Sequence, residues 1–280
     1  MSDEARGVAL VVAGVASAQF GAGFAVTLFD ELGSSGAVFL RLGFAALVLV
    51  AIWRPRVGGH PTADLGIAVA FGAALGTMNW AIYSAMDRIP LGIAVTIEIT
   101  GPLAVAVFAS RRAVDLLWVA LAAAGVLLLA DPGGGSVETA GVLFALLAAA
   151  MWAAYILLAV RVGRVFPGGS GLAIAMVVGA ILIAPMGIAQ GGSELLRPEL
   201  LAAGAAVALA SSVIPYSLDL EALRLLPARV FGVLMSLEPA VAALAGLVVL
   251  GQELGAREWG AIALVVVASA GATGVRAASG

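Results

Sequence analysis

Two glutamates stand inside long apolar runs of this sequence, where a charge is costly. Glu98 lies in the stretch "IPLGIAVTIEITGPLAVAVFASRR", between Pro90 and Pro102. Glu238 directly precedes Pro239 in a second apolar run. A charged residue at the centre of a membrane helix costs roughly 2.5 to 3.5 kcal/mol on the insertion scale. Such a carboxylate must face the interior of a helix bundle, pair with a cation, or bind a proton.

Arg41 is the basic residue best placed to pair with Glu98. It lies within the second apolar run, and a guanidinium on a long side chain can reach the depth of Glu98. Pairing would keep Glu98 ionised, whereas burial alone would favour the protonated carboxyl. The sequence leaves this choice open, together with a purely structural role in tying helices together. Asp219 and Glu221, near the inner end of the eighth run, are interpreted as interfacial residues.

Several polar and aromatic side chains fall at spacings that would line the same cavity as the glutamates. Asn79 and Tyr83 are four residues apart and share a helix face, as do Trp152 and Tyr155, which are three apart. Each aromatic residue taken alone is also consistent with packing. The predicted substrate-binding residues are Gln19, Arg41, Asn79, Trp80, Tyr83, Glu98, Trp152, Tyr155, Tyr216 and Glu238. Glu98 and Glu238 are also the candidates for proton coupling.

The elements that position these residues are predicted to be transmembrane helices. Hydrophobic residues make up 62% of the 280 residues and charged residues 11%, with a mean hydropathy of +1.13. Soluble domains have about 25% charged residues. An apolar run of about 20 residues spans the ~30 Å bilayer core as a helix. Ten such runs lie at about 7–29, 37–53, 65–85, 91–110, 114–130, 139–160, 171–189, 200–218, 230–251 and 259–275. We therefore predict an all-α membrane protein with ten transmembrane helices.

The composition also argues against several kinds of site and partner. The chain has no cysteine, and its one histidine, His60, lies in a short polar segment. There is no basic tract for nucleic acid and no phosphate-binding loop. We therefore expect no metal, no cofactor and no nucleic-acid partner, but a lipid bilayer and a small-molecule substrate. A membrane enzyme is disfavoured because no loop is long enough to hold a catalytic site.

The distribution of arginine predicts the orientation. All fourteen basic residues are arginines. With the N-terminus inside, three lie outside, at Arg88, Arg197 and Arg257, and Arg41 lies within a run. The ten on the inner side are Arg6, Arg54, Arg56, Arg111, Arg112, Arg161, Arg164, Arg224, Arg229 and Arg276. The positive-inside rule then predicts both termini in the cytoplasm. The first run is read as a retained span rather than a cleaved signal.

The two halves of the sequence resemble each other. "AMDRIPLGIAVTIEITGPLAVAV" matches "EALRLLPARVFGVLMSLEPAVAAL", so that Pro90 pairs with Pro227 and Pro102 with Pro239, both 137 residues apart. Each half contains five runs, and an odd number places the second half upside down relative to the first. We predict two inverted five-helix repeats, residues 1–137 and 138–280. Such repeats, with a site near the midplane between them, are typical of secondary transporters.

The same two motifs closely resemble the EamA-type drug/metabolite transporters, and within them the inner-membrane threonine and homoserine exporters. "ASAQFGAGFAVTLF" and "FLRLGFAALVLVAIWRP" are similar too, so the resemblance covers nearly the whole chain. It implies ten helices in two inverted repeats in the inner membrane. It also implies efflux of amino acids or related metabolites driven by an ion gradient, with protons as the expected ion. Gln19, Arg41, Glu98, Tyr216 and Glu238 occupy matching motif positions, without roles assigned by the resemblance.

Several functional hypotheses remain at this point. The first is an alternating-access exporter of small amino acids, with Arg41 meeting the substrate carboxylate and Glu98 its ammonium. A proton on Glu98 or Glu238 would exchange against substrate. Within the same class, the substrate could be a drug-like cation or another metabolite. A non-transporting scaffold or sensor is the remaining alternative. The sequence does not specify the oligomeric state.

Overall fold

The computed structural model describes residues 3–56, 58–108, 114–130, 138–226 and 228–274. Within these ranges the chain forms helices and short connections, and contains no β-strand. Seven segments are long and apolar enough to cross a membrane: Asp3–Val26, Phe29–Trp53, Thr62–Met86, Thr139–Val165, Ser170–Leu196, Pro198–Asp219 and Val230–Leu250. The protein is therefore an all-α, multi-pass membrane protein, as the sequence predicts.

Thirteen α-helices follow one another along the described parts of the chain. They are α1 (Asp3–Val26), α2 (Phe29–Trp53), α3 (Thr62–Met86), α4 (Leu91–Glu98), α5 (Thr100–Phe108), α6 (Val114–Ala130), α7 (Thr139–Val165), α8 (Ser170–Gly191), α9 (Pro198–Ala208), α10 (Ile214–Leu225), α11 (Ala228–Met235), α12 (Glu238–Leu250) and α13 (Ala256–Gly274). A 3₁₀ turn, Gly192–Leu196, precedes α9, and a π-helical segment, Leu209–Val213, joins α9 to α10. All ten predicted runs overlap these helices. The fourth and fifth correspond to shorter apolar stretches, Leu91–Val105 and Leu116–Leu128.

The fourth predicted run is interrupted beside its glutamate. Helix α4 ends at Glu98, and α5 begins at Thr100. Pro102 explains the interruption, because it lacks the N–H that would bond to the carbonyl of Glu98 four residues earlier. In a membrane, a backbone group released in this way must be buried in protein or line a cavity.

The ninth run is interrupted at the corresponding position. Helix α11 ends at Met235 and α12 begins at Glu238, with Pro239 unable to bond to the carbonyl of Met235. Ser236, in this break, lies 137 residues after Ile99, the residue between α4 and α5. The proline echo in the sequence therefore marks two real helix breaks, each with a glutamate at a helix end. Pro227, the remaining member of the echo, lies outside the described residues.

Small residues bring the helices close together. A Cβ on Gly76 of α3 would stand 2.7 Å from the Cα of Gly179 of α8. A Cβ on Gly92 of α4 would stand 2.8 Å from Ala243 of α12. Without a hydrophobic driving force between helices in lipid, such close backbone packing supplies much of the association energy. The two broken helices thus cross each other at a glycine.

The outer surface of the bundle is apolar. Leu47, Leu127 and Val248 are each about two thirds or more exposed, at 68%, 72% and 69%. Charged and polar side chains with less than a tenth of their surface exposed lie inside instead, among them Arg41, Asn79, Glu98 and Glu238. This arrangement fits a protein whose outer face contacts lipid and whose polar site lies within the bundle.

Candidate functional site

A cavity of about 140 Å³ lies inside the bundle. Eight of the ten predicted site residues line it: Gln19, Arg41, Asn79, Glu98, Trp152, Tyr155, Tyr216 and Glu238. The other lining residues are Gly14, Val15, Ala18, Ala22, Met78, Ile82, Met86, Val95, Ser211, Pro215, Asp219 and Met235. Helices from both halves of the chain therefore contribute to one polar chamber.

Arg41 is held by three hydrogen bonds to uncharged groups. Its Nε donates to Ser212 Oγ at 3.0 Å, its Nη2 to the Ser211 carbonyl at 3.0 Å, and its Nη1 to Tyr83 Oη at 3.2 Å. The Ser211 carbonyl is available because Pro215, four residues later, has no N–H to donate. The π-helical segment around Ser211 and Ser212 thus provides the acceptors that fix Arg41. Helix irregularities of this kind occur often at functional sites.

Tyr83 lies behind Arg41 rather than in the cavity wall. It is fully buried, its ring centroid lies 5.3 Å from the guanidinium carbon of Arg41, and its hydroxyl accepts from that side chain. It also packs on Phe29, with ring centroids 5.6 Å apart. Tyr83 therefore positions Arg41, and it does not line the cavity.

Trp80 is not brought into the cavity. Its Nε1 donates to Ser35 Oγ at 3.1 Å, and its ring meets Phe144 edge-on at 5.4 Å, in a separate pocket near Arg88. Adjacent residues on an α-helix point about 100° apart, so Trp80 and Asn79 face different neighbours. Of these two residues, Asn79 lines the cavity, and its Nδ2 donates to the Leu75 carbonyl at 2.9 Å.

The aromatic part of the cavity wall comes from α7 and α10. Trp152 and Tyr155 share a face of α7, as their three-residue spacing predicts. The ring of Tyr155 stacks on Phe71 at 4.7 Å, which fixes its orientation. Tyr216 lines the same space from α10. The cavity therefore combines a cation, carboxylates and amphipathic aromatic rings.

Glu98 and Glu238 are the two buried carboxylates, with 8% and 6% of their surface exposed. Neither forms a hydrogen bond or an ion pair with any residue that the structure describes. Both line the same cavity. Both side chains are left with free acceptor capacity inside the bundle.

The expected salt bridge between Arg41 and Glu98 is not formed. Both line the cavity, but no nitrogen and oxygen of the pair lie within 4.0 Å. The reason is the arrangement of acceptors around Arg41, where Ser211, Ser212 and Tyr83 take three of its N–H groups. Glu98 and Arg41 are therefore both available to a ligand between them.

Asp219 is not among the site residues that the sequence predicts. It lines the cavity, and its Oδ1 is buried without a hydrogen-bond donor. Its spacing held the signal, because it follows Tyr216 by three residues and Pro215 by four and so shares their helix face. Glu221 fits the interfacial reading, since it is partly exposed and pairs with Arg224 at 3.0 Å.

Metal binding finds no support in the described parts of the chain. No group of three His, Asp or Glu side chains there could hold an ion. His60 packs its ring on Phe166, with centroids 4.6 Å apart.

Fold and cavity together define a multi-pass membrane protein with a polar chamber inside its helix bundle. The chain belongs to the EamA-like transporter family, whose sequence model matches residues 139–274. It is 40% identical over 271 residues to the threonine/homoserine exporter RhtA of Escherichia coli, covering 95% of this chain and 90% of that protein. The RhtA protein of Salmonella typhimurium matches to the same extent.

Two matches are more distant. The uncharacterized transporter YwfM of Bacillus subtilis is 28% identical over 232 residues, covering 81% of this chain and 71% of that protein. One solved crystal structure has 20% sequence identity and a TM-score of 0.63, covering 97% of this chain and 99% of its own. At this level of identity, the match shows a shared fold.

Proposed function

We propose that this protein exports small α-amino acids of the threonine and homoserine type from the cytoplasm, in exchange for protons, by alternating access. The observation that carries the proposal is the buried chamber that holds one guanidinium and unpaired carboxylates. The 40% sequence identity of the chain to proteins named threonine/homoserine exporters points to the same substrate class.

The charges of the cavity match those of a zwitterion. An arginine has five N–H donors, and the three hydrogen bonds of Arg41 leave two for a substrate carboxylate. Unpaired carboxylates are available to the substrate ammonium in the same chamber. An aliphatic side chain with a hydroxyl would then meet the aromatic wall and the polar groups of Asn79 and Gln19.

Glu98 and Glu238 are the residues that we assign to proton coupling. Each is buried, lacks a partner among the described residues, and lies at the break of a discontinuous helix. A carboxylate that has lost water and has no partner is stabilised when it binds a proton. Exchange follows if substrate and proton compete for these acids in successive states of the cavity.

The architecture that fits this mechanism is the predicted pair of inverted five-helix repeats, 1–137 and 138–280. Several helix contacts support it, because exchanging the two halves turns each of them into itself or into another observed contact. Helices α2 and α6 pack on their counterparts α8 and α13, and α1 packs on α12 as α7 packs on α5. Helix α1 packs on α10 as α7 packs on α3, and α2 packs on α9 as α8 packs on α3. Alternating access would be a rocking of these halves around the cavity.

We propose that the protein lies in the inner membrane with both termini in the cytoplasm, as the arginine distribution predicts, and loop contacts support the grouping of the loops on two sides. Arg197, which follows α8, pairs with Glu31 at the start of α2, with a nitrogen–oxygen distance of 2.5 Å. Arg88, just after α3, pairs with Glu138, just before α7, at 3.7 Å. All four positions are predicted outside. On the other side, His60 meets Phe166. Arg111, Arg112 and Arg276, which also carry the orientation argument, lie outside the described residues.

The test is transport by the purified protein in liposomes. We expect threonine and homoserine flux that increases when an imposed proton gradient opposes the substrate gradient. A flux that does not change with the imposed pH difference would show that transport is not coupled to protons. For the glutamates, Glu98→Gln and Glu238→Gln are expected to transport without responding to the gradient. Glu221→Gln, which alters an exposed acid, is the matched control and should respond like the wild type.

Export of drug-like cations is the second candidate, and the excess of acids over bases in the cavity favours it. Glu98, Asp219 and Glu238 line the chamber together with a single arginine. A cation without a carboxylate would not need Arg41. Competition by lipophilic cations that survives Arg41→Lys would support this candidate over the amino-acid exporter.

A further inference from the structure

Three side-chain oxygens of the cavity lack a hydrogen-bond donor. They are Gln19 Oε1, Ser211 Oγ and Asp219 Oδ1, and all three are buried. Gln19 and Ser211 are only 7% and 5% exposed. Burying an oxygen without a donor costs about 1–3 kcal/mol, so buried polar atoms normally find partners. Three such acceptors lining a single chamber indicate that a ligand with several donor groups belongs there.

Two of the acceptors lie against α1, Ser211 Oγ on the π-helical segment and Asp219 Oδ1 on α10. A Cβ on Gly21 would lie 2.5 Å from Ser211 Oγ, and one on Gly14 would lie 3.1 Å from Asp219 Oδ1. The two glycines are seven residues apart on α1, which corresponds to about 10 Å along the helix. Ser211 Oγ and Asp219 Oδ1 therefore mark the two ends of a row along α1, and Gln19, on the same helix, lines the same cavity.

The two ends of the row have different surroundings. At one end, Ser211 also binds Arg41, whose Nη2 donates to its carbonyl at 3.0 Å. At the other end, Asp219 has no cation within ion-pair distance in the described part of the chain. The ammonium and carboxylate of an α-amino acid are attached to the same carbon. The ammonium of an α-amino acid whose carboxylate binds Arg41 therefore lies at the Arg41 end of the row.

We propose that Asp219 and Gln19 form a separate inner subsite that first captures the ammonium group of the substrate, before its carboxylate reaches Arg41. In the proposed orientation, Asp219 lies towards the cytoplasmic end of α10, on the side from which an exported substrate arrives. The ammonium supplies the missing hydrogen-bond donors to Asp219 Oδ1 and Gln19 Oε1. Movement along the row then brings the substrate to Ser211 and Arg41.

This inference rests on the proposed amino-acid export, and the experiment distinguishes a failure of the export function from a failure of the inner subsite. Wild-type liposomes are assayed first, with threonine supplied to the face on which Arg224 lies. No saturable threonine or homoserine flux in the wild type would refute the export function. If the wild type transports, Asp219→Asn should raise KM about tenfold, the loss of one charge-assisted hydrogen bond, and change kcat much less. An unchanged KM would overturn the subsite.

Two further measurements keep the test sharp. Inhibition by 3-hydroxybutanoate, which is threonine without its ammonium, should be equal in wild type and Asp219→Asn. Loss of its inhibition in the variant would contradict ammonium capture. Gln19→Met should give a smaller rise in KM. It tests the same subsite if Asp219→Asn does not fold. Glu221→Gln, on the same helix but paired with Arg224, should leave KM unchanged. A lost response to the proton gradient with wild-type KM would make Asp219 a proton residue and overturn the proposal.

Discussion

At the scale of single residues, the cavity is organised around a cation that is fixed by neutral groups. Arg41 is buried and bonded to two hydroxyls and one backbone carbonyl, rather than to an acid. A full ion pair with Glu98 would consume both charges and leave neither for a substrate. The observed arrangement keeps the guanidinium in place through dipoles and leaves the carboxylates free.

Arg41→Lys is expected to abolish most transport although it keeps the charge. A lysine ammonium cannot reproduce the planar fork that contacts Ser212, Ser211 and Tyr83 together. We expect flux to fall at least about tenfold, and stability to fall by about 1–3 kcal/mol as buried acceptors lose their donor. Liposome flux and thermal unfolding in detergent measure the two effects. Arg224→Lys, in an exposed pair, is the control, and equal losses in both variants would contradict this role.

Helix periodicity explains which cavity residues the sequence could reveal. Trp152 and Tyr155 were found because a three-residue spacing puts side chains on one face. Asp219 was assigned to the interface because its run ends nearby, although its spacing from Tyr216 held the information. Trp80 was included by proximity to Asn79 alone. The contacts that fix Arg41 could not be predicted, since they join residues about 170 positions apart.

At the scale of secondary-structure elements, proline determines where the helices are irregular. The breaks beside Glu98 and Glu238 follow from Pro102 and Pro239, which stand at matching positions of the two halves. The π-helical segment before Pro215 was not predicted, because its released carbonyls are stabilised by other helices. Ser17 of α1 donates to the Ala210 carbonyl at 2.7 Å, and Arg41 donates to that of Ser211.

Replacing Pro215 should change the site more than the fold. In Pro215→Ala, the restored N–H can bond to the Ser211 carbonyl and compete with Arg41 for it. We expect flux to fall several-fold while thermal stability is kept or raised, because an interior proline costs an α-helix about 3 kcal/mol. Pro185→Ala is the matched control. Pro185 lies inside α8, is exposed on the surface and does not line the cavity.

The role of Pro215 is tested by comparing the flux and the unfolding temperature of Pro215→Ala with those of Pro185→Ala. Both variants should unfold at the same or a higher temperature, and only the cavity proline should affect transport. Wild-type flux in Pro215→Ala would show that the π-helical segment does not depend on its proline.

Close helix packing gives a second prediction at this scale. Gly76→Ala places a Cβ against the backbone of Gly179, which cannot move aside as a flexible side chain can. We expect a loss of about 1–3 kcal/mol, typical of overpacking, and a lower unfolding temperature. Gly66→Ala, on the same helix, meets no atom within 4 Å and should be neutral or slightly stabilising. Equal unfolding temperatures would indicate that α3 and α8 separate readily.

At the scale of the whole molecule, the number of membrane crossings decides whether two inverted repeats are present. Seven segments have the length and apolarity to cross, and the sequence runs predict ten. The difference lies in the two shorter apolar stretches, Leu91–Val105 and Leu116–Leu128, and in α13. The sequence cannot settle a short stretch, because length alone does not separate a crossing helix from one that returns to the same side.

Single cysteines can count these crossings, because the chain has no native cysteine. In right-side-out vesicles, a membrane-impermeant maleimide should label Glu199→Cys, on the predicted outer side, where the native side chain is 73% exposed. Thr62→Cys, at the exposed start of α3, should be labelled only after the vesicles are opened.

Ser110→Cys is the decisive position, although it lies outside the described residues. If Leu91–Val105 crosses the membrane, Ser110 is on the inner side with Arg111 and Arg112, and it is labelled only in opened vesicles. If that stretch returns to the outer side, Ser110→Cys is labelled in closed vesicles and the first half no longer has five crossings. The second half would then not be inverted by an odd count. Glu98 would in that case lie at the tip of a re-entrant segment, and exchange between two repeats would not explain how its carboxylate alternates between the two sides.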